Sequence, residues 1–271
     1  MYAQNQMPRS SNPGNSEYNT GMESQIAERL LELNHQFYQT FADEFSKTRQ
    51  RIQPGARRIL EKFPPGASIL DLGCGNGETQ REIRRLGHRG VYVGIDVSPG
   101  LLTIARSETA GQNERFLLAD LARPDWAERL SAAWAEIAPG KSLQFDIILA
   151  FAVLHHIPSQ AWREQILSQV HALLRASGQF IHSEWQFLNS PRLAARVQAW
   201  ERVGLQADQV DPGDYLIDWR AGGQGLRYIH LFDEQELAEL AVKSGFKIDD
   251  SFYSDGEGNN LGLYQVWSAV K

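Results

Sequence analysis

Apolar and polar positions change period several times along the 271-residue chain, and each change marks an element. Residues 1–24 are rich in Asn, Ser, Gln, Gly and Pro with almost no aliphatic side chains, so they read as a disordered tail. From Gln25 the apolar residues take a helical period: Ile26, Leu30, Leu33 and Phe37, then Phe41 and Phe45, fall on one stripe until Pro54. A short helix from Gly55 to Phe63 stops at Pro64-Pro65-Gly66. Short apolar runs and helical patterns then alternate. The runs are Ile69–Leu72, Val91–Asp96, Phe116–Ala119, Phe145–Ala150 and Gln179–Ser183. The helices between them include one capped by Ser98-Pro99, one over Pro124–Ala138 and one capped by Ser159 that runs to Gly178. This cadence implies an α/β fold, a parallel sheet wound on both faces, with ligands beyond the carboxyl ends of the strands. Asp233 with Glu236 reads as a capping box for a helix ending at Gly245. Strands Phe246–Phe252 and Leu261–Ala269 follow without a helix between them, so they pair antiparallel, giving seven strands with the last one reversed. Residues 189–230 exceed this minimal pattern and are expected to cap the substrate pocket, as an insertion in one domain over 25–271.

The stretch from Ile69 to Asp96 carries the clearest chemistry. An apolar run containing Asp71, a turn with Gly73, Gly75 and Gly77 at every second position, a polar helix and a second run ending in Asp96 make a βαβ unit for a nucleoside-bearing ligand. A dinucleotide fingerprint would need a third glycine at position 78, where Glu78 would set a like charge against pyrophosphate. The Gly-x-Gly-x-Gly spacing preceded by Asp71 resembles the first motif of class I S-adenosylmethionine (SAM) methyltransferases, a doubly wound, Rossmann-like, mostly parallel sheet of seven strands. The resemblance implies SAM as cofactor. Gly73, Cys74, Gly75 and Gly77 would meet its methionine portion, and Asp71 either holds the loop, binds the cofactor amine or caps the helix. Asp96, with Val97 beside it, would accept from the ribose hydroxyls, and Asp120, with Leu121, from the adenine amino group or serve as a plain turn cap. Ala150 and Phe151 would end the fourth strand beneath the sulfonium.

Composition narrows the partners. A hydrophobic fraction of 42% is that of a globular protein, and a net charge of −6 gives no general nucleic-acid signal. The single cysteine excludes an internal disulfide framework and fits a cytoplasmic protein. The seven histidines show no zinc-ligand spacing, so no metal is expected. The longest apolar runs, about eight residues, fall short of the roughly 20 that span a bilayer, so no membrane partner is expected.

A narrower resemblance rests on three blocks: Phe37-Tyr38-x-x-Phe41-Ala42-x-x-Phe45-Ser46-x-Thr48-Arg49, Gly213-Asp214-Tyr215-Leu216-Ile217-Asp218-Trp219-Arg220, and Arg227-Tyr228-Ile229-His230-Leu231-Phe232. They resemble the tRNA wobble-uridine methyltransferases that esterify a carboxymethyl group. That family implies tRNA as acceptor and a small zinc-binding activating subunit as partner. It also implies site roles for Tyr38 and Arg49 toward the cofactor and for Arg220, Arg227 and His230 toward the acceptor. The arginines either grip the acceptor carboxylate or pair with Asp211, Asp214 or Asp218, and His155 and His156 are either a general base or packing residues. Two basic runs, Lys47, Arg49, Arg51, Arg57, Arg58 and Lys62, then Arg81, Arg84, Arg85 and Arg89, either contact RNA or are solvated faces. Where the family ends in an Asp-Asn-Trp run and paired tryptophans, this chain has Tyr253 to Asn260 and then Tyr264-Gln265-Val266-Trp267. A small-molecule O- or N-methyltransferase, or a non-catalytic subunit of the same fold, are the alternatives.

Overall fold

The computed structural model describes residues 22–48, 51–108, 111 and 113–270. The expected tail lies outside the described residues as far as residue 21, as do Arg49 and the side chain of Phe45. In chain order the elements are α1 Ser24–Thr40, α2 Ala42–Thr48, α3 Pro54–Leu60, β1 Ile69–Leu72, α4 Glu78–Arg85, β2 Tyr92–Asp96, α5 Pro99–Ser107, β3 Glu114–Leu118, α6 Trp126–Ile137 and β4 Phe145–Phe151. They continue as α7 Gln160–Leu173, β5 Leu174–Trp185, α8 Pro191–Ala194, β6 Val197–Gln198, β7 Asp214–Trp219, β8 Gly225–His230, α9 Glu234–Lys243, β9 Phe246–Ser254 and β10 Gly262–Ala269.

Seven strands form one sheet in the order β3-β2-β1-β4-β5-β10-β9. β1 to β5 pair in parallel and β10 runs antiparallel to both neighbours, so the last strand is the reversed one. Both faces are covered, which is why the central strands read as unbroken apolar runs. Leu70, Leu72, Val93 and Ile148 pack on one face beneath Trp126, Leu130, Ile166 and Leu237 from α6, α7 and α9. Ile69, Tyr92, Ile147 and Leu149 pack on the other beneath Ile59, Ile83 and Leu102 from α3, α4 and α5. No helix among the described residues is long and apolar enough to cross a membrane.

Several local expectations change. The N-terminal stripe is two helices that break at Phe41, whose N–H still reaches the Phe37 carbonyl. β5 begins at Leu174, five residues before the expected start, with a register shift opposite Phe145 and Ile147. Gly178 lies in that shift, where a Cβ would meet the Phe145 carbonyl at 2.9 Å. Ser98 caps α5 as expected, but Ser159 stands before α7 at φ +69° with no side-chain cap bond. Asp233 caps α9 through the Glu236 N–H at 2.8 Å, while Glu236 turns to His230 rather than completing a capping box.

The 189–230 segment supplies a second, three-stranded antiparallel sheet, β6-β7-β8, which period alone did not reveal. Leu216 and Tyr228 pack with Leu30 of α1 and with Trp200 and Leu205, while Ile217 and Ile229 pack against Phe187. With both faces buried, this sheet lacks the in-and-out alternation that marks a strand.

Candidate active site

The turn after β1 is shaped by backbone conformations open to glycine. Gly73, Gly75 and Gly77 have φ of +69°, +55° and +81°. The Gly73 and Cys74 N–H groups donate to the Ile95 carbonyl at 2.8 and 3.0 Å, tying the turn to β2. A Cβ on Gly73 would lie 2.5 Å from Val153 Cγ2, whereas a Cβ on Gly75 would enter open space. Asp96, at the end of β2, accepts from the Gly75 N–H at 2.8 Å and the Ser98 N–H at 2.8 Å. Burial pushes its carboxyl above the usual range against the backbone donors of Ser98, Gly75 and Val97. The backbone thus aims this carboxylate into a cavity of about 450 Å³ beyond the strand ends.

That cavity follows the sheet order. Asp120 and Leu121 line it beyond β3, Asp96 and Val97 beyond β2, Gly73, Cys74 and Gly75 beyond β1, and Phe151 at the end of β4. Ser183, Glu184 and Trp185 close the far end from β5, with Gly262 and Tyr264 from β10. α1 covers the opening with Asn34, His35 and Tyr38. Asn34 is buried and stitches this cover in place: its Oδ1 accepts from the Tyr228 N–H at 2.8 Å, and its Nδ2 donates to the Tyr228 and His156 carbonyls at 3.2 Å each.

The cavity therefore collects Tyr38, Gly73, Cys74, Gly75, Asp96, Val97, Asp120, Leu121 and Phe151 from the expected residues and leaves others outside. Asp71 lies under the turn, where its carboxylate accepts from the buried Tyr92 hydroxyl. Burial, offset by that hydroxyl and reinforced by Asp96, pushes its pKa up to about 7. Gly77 is the N-cap of α4, and Ala150 is buried within β4 opposite His182. Asp120 accepts from the Ala122 N–H at 2.9 Å while its other oxygen stands 3.6 Å from His35 Nε2, so a turn cap and a cavity wall are one residue.

The two histidines after β4 diverge. His156 lines the cavity and its Nε2 stands 2.8 Å from the Tyr38 hydroxyl. His155 is buried away from the lining, its Nδ1 2.9 Å from Glu184 Oε2, while His182 Nδ1 is 2.9 Å from Glu184 Oε1. Burial pushes Glu184 well above the usual carboxyl range and His182 down to about 3. Burial disfavours the charged form of both groups.

The acceptor-side expectations shift most. Arg220 is exposed and paired with Asp218 at 2.8 Å, outside the cavity lining. Arg227 is buried against the rings of Trp185, Phe37 and Trp219, at 4.9, 5.4 and 5.7 Å. His230 joins the second sheet to α9, with Nδ1 2.7 Å from Asp214 and Nε2 2.8 Å from Glu236. Among the described residues, the arginine that lines the cavity is Arg51, between α2 and α3. The second basic run is largely neutralised on its own helix and neighbours: Arg81 pairs with Glu78 at 2.7 Å and Glu108 at 2.8 Å, Arg84 with Glu114, and Arg85 with Glu82 at 3.1 Å. Sequence reasoning missed Asn34, His35, Glu184, Trp185 and Tyr264. Asn34 and His35 lie off the apolar stripe of α1 and Glu184 and Trp185 beyond the expected fifth strand, so no local pattern marked them, and only the tertiary fold brings them together.

Comparison with known proteins matches this geometry. A methyltransferase-domain family model fits residues 45–251. A chain named as a methyltransferase in Encephalitozoon cuniculi is 31% identical over 217 residues, covering 80% of this chain and 88% of that one. A tRNA (carboxymethyluridine(34)-5-O)-methyltransferase of Saccharomyces cerevisiae is 30% identical over 60% of this chain, which spans about half (51%) of the yeast protein. Among solved structures, the Burkholderia thailandensis 1,6-didemethyltoxoflavin-N1-methyltransferase, with bound S-adenosylhomocysteine, superposes with a TM-score of 0.57 at 21% identity, over 97% of this chain and 94% of that one. A Haloferax volcanii methyltransferase, solved in complex with the Trm112 methyltransferase activator, superposes at 0.60 and 16% identity, over 88% and 97%. With the seven-stranded sheet and the glycine turn, these matches place the chain in the methyltransferase domain family, as a SAM-dependent enzyme of the class I fold.

Proposed function

We propose that the enzyme methylates the carboxylate of a carboxymethyl group on the wobble uridine of tRNA. The observation that carries this reading is the 30% identity to the yeast tRNA carboxymethyluridine methyltransferase, together with 27% identity to the Schizosaccharomyces pombe protein of that name over 82% of this chain and 92% of that one.

The residues present fit SAM. The open space at Gly75 is where a Cβ would obstruct, so the turn is suited to the methionine portion, and Asp96, fixed by two backbone N–H groups, retains lone pairs for ribose hydroxyls. Asp120, Leu121 and His35 bound the adenine end. When bound, SAM supplies an electrophilic methyl group on a sulfonium.

The protein's own task is orientation. A carboxylate acceptor is already ionised at neutral pH and needs no base. Tyr38 and His156 fix the cover over the reaction space, Phe151 and Tyr264 keep its wall apolar, and Arg51 is suited to meet a carboxylate. The residues that line the cavity would hold an acceptor oxygen in line with the methyl group that bound SAM would supply. Holding two reactants in that line supplies about 7–11 kcal/mol of the barrier. The reading also includes a small activating subunit, since the Haloferax neighbour was solved with one.

The test is methyl transfer from labelled SAM to tRNA carrying carboxymethyluridine, with and without an activating subunit, followed by nucleoside analysis. A base-labile methyl ester on uridine is expected. Its absence in both conditions, or transfer to a small molecule alone, contradicts the reading.

A further inference from the structure

The cavity has two ends, and the sheet order separates them. Asp96 ends β2, while Trp185 ends β5, three strand positions away, or roughly 14 Å at ~4.8 Å per strand. The ribose carboxylate thus stands at one end and an indole at the other.

Trp185 is half-buried and lines the cavity. It pairs across the strands with Gly262, and Ser183, two residues earlier on the same face, pairs with Tyr264. Gly262 across the strands brings no side chain, and the Tyr264 ring fills that place, 2.8 Å from where a Cβ would stand, so the indole and this ring line one wall of the cavity. Behind the wall, outside the cavity lining, lies Arg227, only 6% exposed and 4.9 Å from the Trp185 ring centroid. Phe37 and Trp219 hold the same guanidinium at 5.4 and 5.7 Å. A planar cation packed on an indole holds that ring in place.

We infer that Trp185, held by Arg227, is the stacking platform for the pyrimidine ring of the acceptor nucleotide, which rests on the tRNA reading above. Arg227 is then a positioning residue that acts through the indole. An aromatic face suits a flipped or looped-out base, because stacking asks only for a flat π surface.

Steady-state kinetics on carboxymethyluridine tRNA, with SAM binding by calorimetry, tests this on the full chain and any subunit it requires. Trp185→Ala is expected to raise the KM for tRNA about 5- to 150-fold, the range of base stacking, with SAM affinity within about twofold of wild type. Trp185→Phe is expected to recover most of that loss, and Arg227→Lys to raise the KM by less than Trp185→Ala. If the wild type esterifies the tRNA but Trp185→Ala leaves its KM within about twofold, or loses only kcat, this assignment is overturned and the proposed function stands. If the wild type esterifies no tRNA, both fall together.

Discussion

The Tyr38 hydroxyl stands 2.8 Å from His156 Nε2, so one hydrogen bond joins α1, which covers the cavity, to the turn that follows β4 beneath it. The rings also meet edge to face at 5.4 Å. Tyr38→Phe keeps the ring contact and removes the bond. It is expected to weaken SAM binding about 3- to 10-fold by calorimetry, in line with ~1 kcal/mol for one part-buried hydrogen bond, with little change in melting temperature. Unchanged affinity would remove Tyr38 from the cofactor cover.

Asn34 ties that same helix to β8 and to the His156 carbonyl through three hydrogen bonds. Asn34→Ala strands a buried N–H and two carbonyls and is expected to cost about 1–3 kcal/mol in chemical denaturation. Asn34→Asp keeps the acceptor and is expected to restore only part of it.

The two glycines at +55° and +81° separate cofactor binding from folding. Gly75→Ala places a methyl group in the open cavity, whereas Gly77→Ala places one 3.1 Å from the Ala105 Cβ. Both pay about 1–2 kcal/mol of left-handed strain. Gly75→Ala is expected to lose SAM affinity beyond its loss of stability, and Gly77→Ala to lose mainly stability. Calorimetry and thermal melts on the same samples separate the two.

His230 makes the joint between the second sheet and α9 pH-dependent. Burial pulls its pKa down, but the hydrogen bonds to Asp214 and Glu236 outweigh it, and the folded value lies above the ordinary 6.5, with Arg163 opposing. A raised folded pKa means that the native state holds the proton more tightly than the unfolded chain. Its contribution is therefore full below about pH 6.5 and is lost as pH rises through the raised folded value. The gap in melting temperature between wild type and His230→Gln is expected to shrink as pH climbs from 6 to 9. A gap that widens with pH contradicts this assignment.

These residues also show what the sequence exposes and what it hides. The run Ile69 to Asp96 is legible because strand, turn and helix are local, and their glycine positions answer to backbone conformation. The acceptor end is different. Arg227 and His230 stand in blocks that look chemical, yet the fold spends one on a stack of rings and the other on a buried clamp. Glu184 and Trp185 fall beyond the expected strand Gln179–Ser183, and they reach the cavity because β5 runs on to Trp185 between β4 and β10, where they pair with Leu263 and Gly262. Likewise His155 and His156 are neighbours in sequence, but a short 3₁₀ turn over Leu154–His156 sends one into the core and the other to the cavity.

We propose that the cavity beyond β1 to β5 holds SAM, with Asp96 as its ribose contact. Titrating SAM into wild type and Asp96→Ala by calorimetry tests it most directly. A single site is expected in the wild type and an affinity at least about tenfold weaker in Asp96→Ala, with both proteins folded by circular dichroism. Equal affinity in the two folded proteins, or no binding to the wild type, would contradict it.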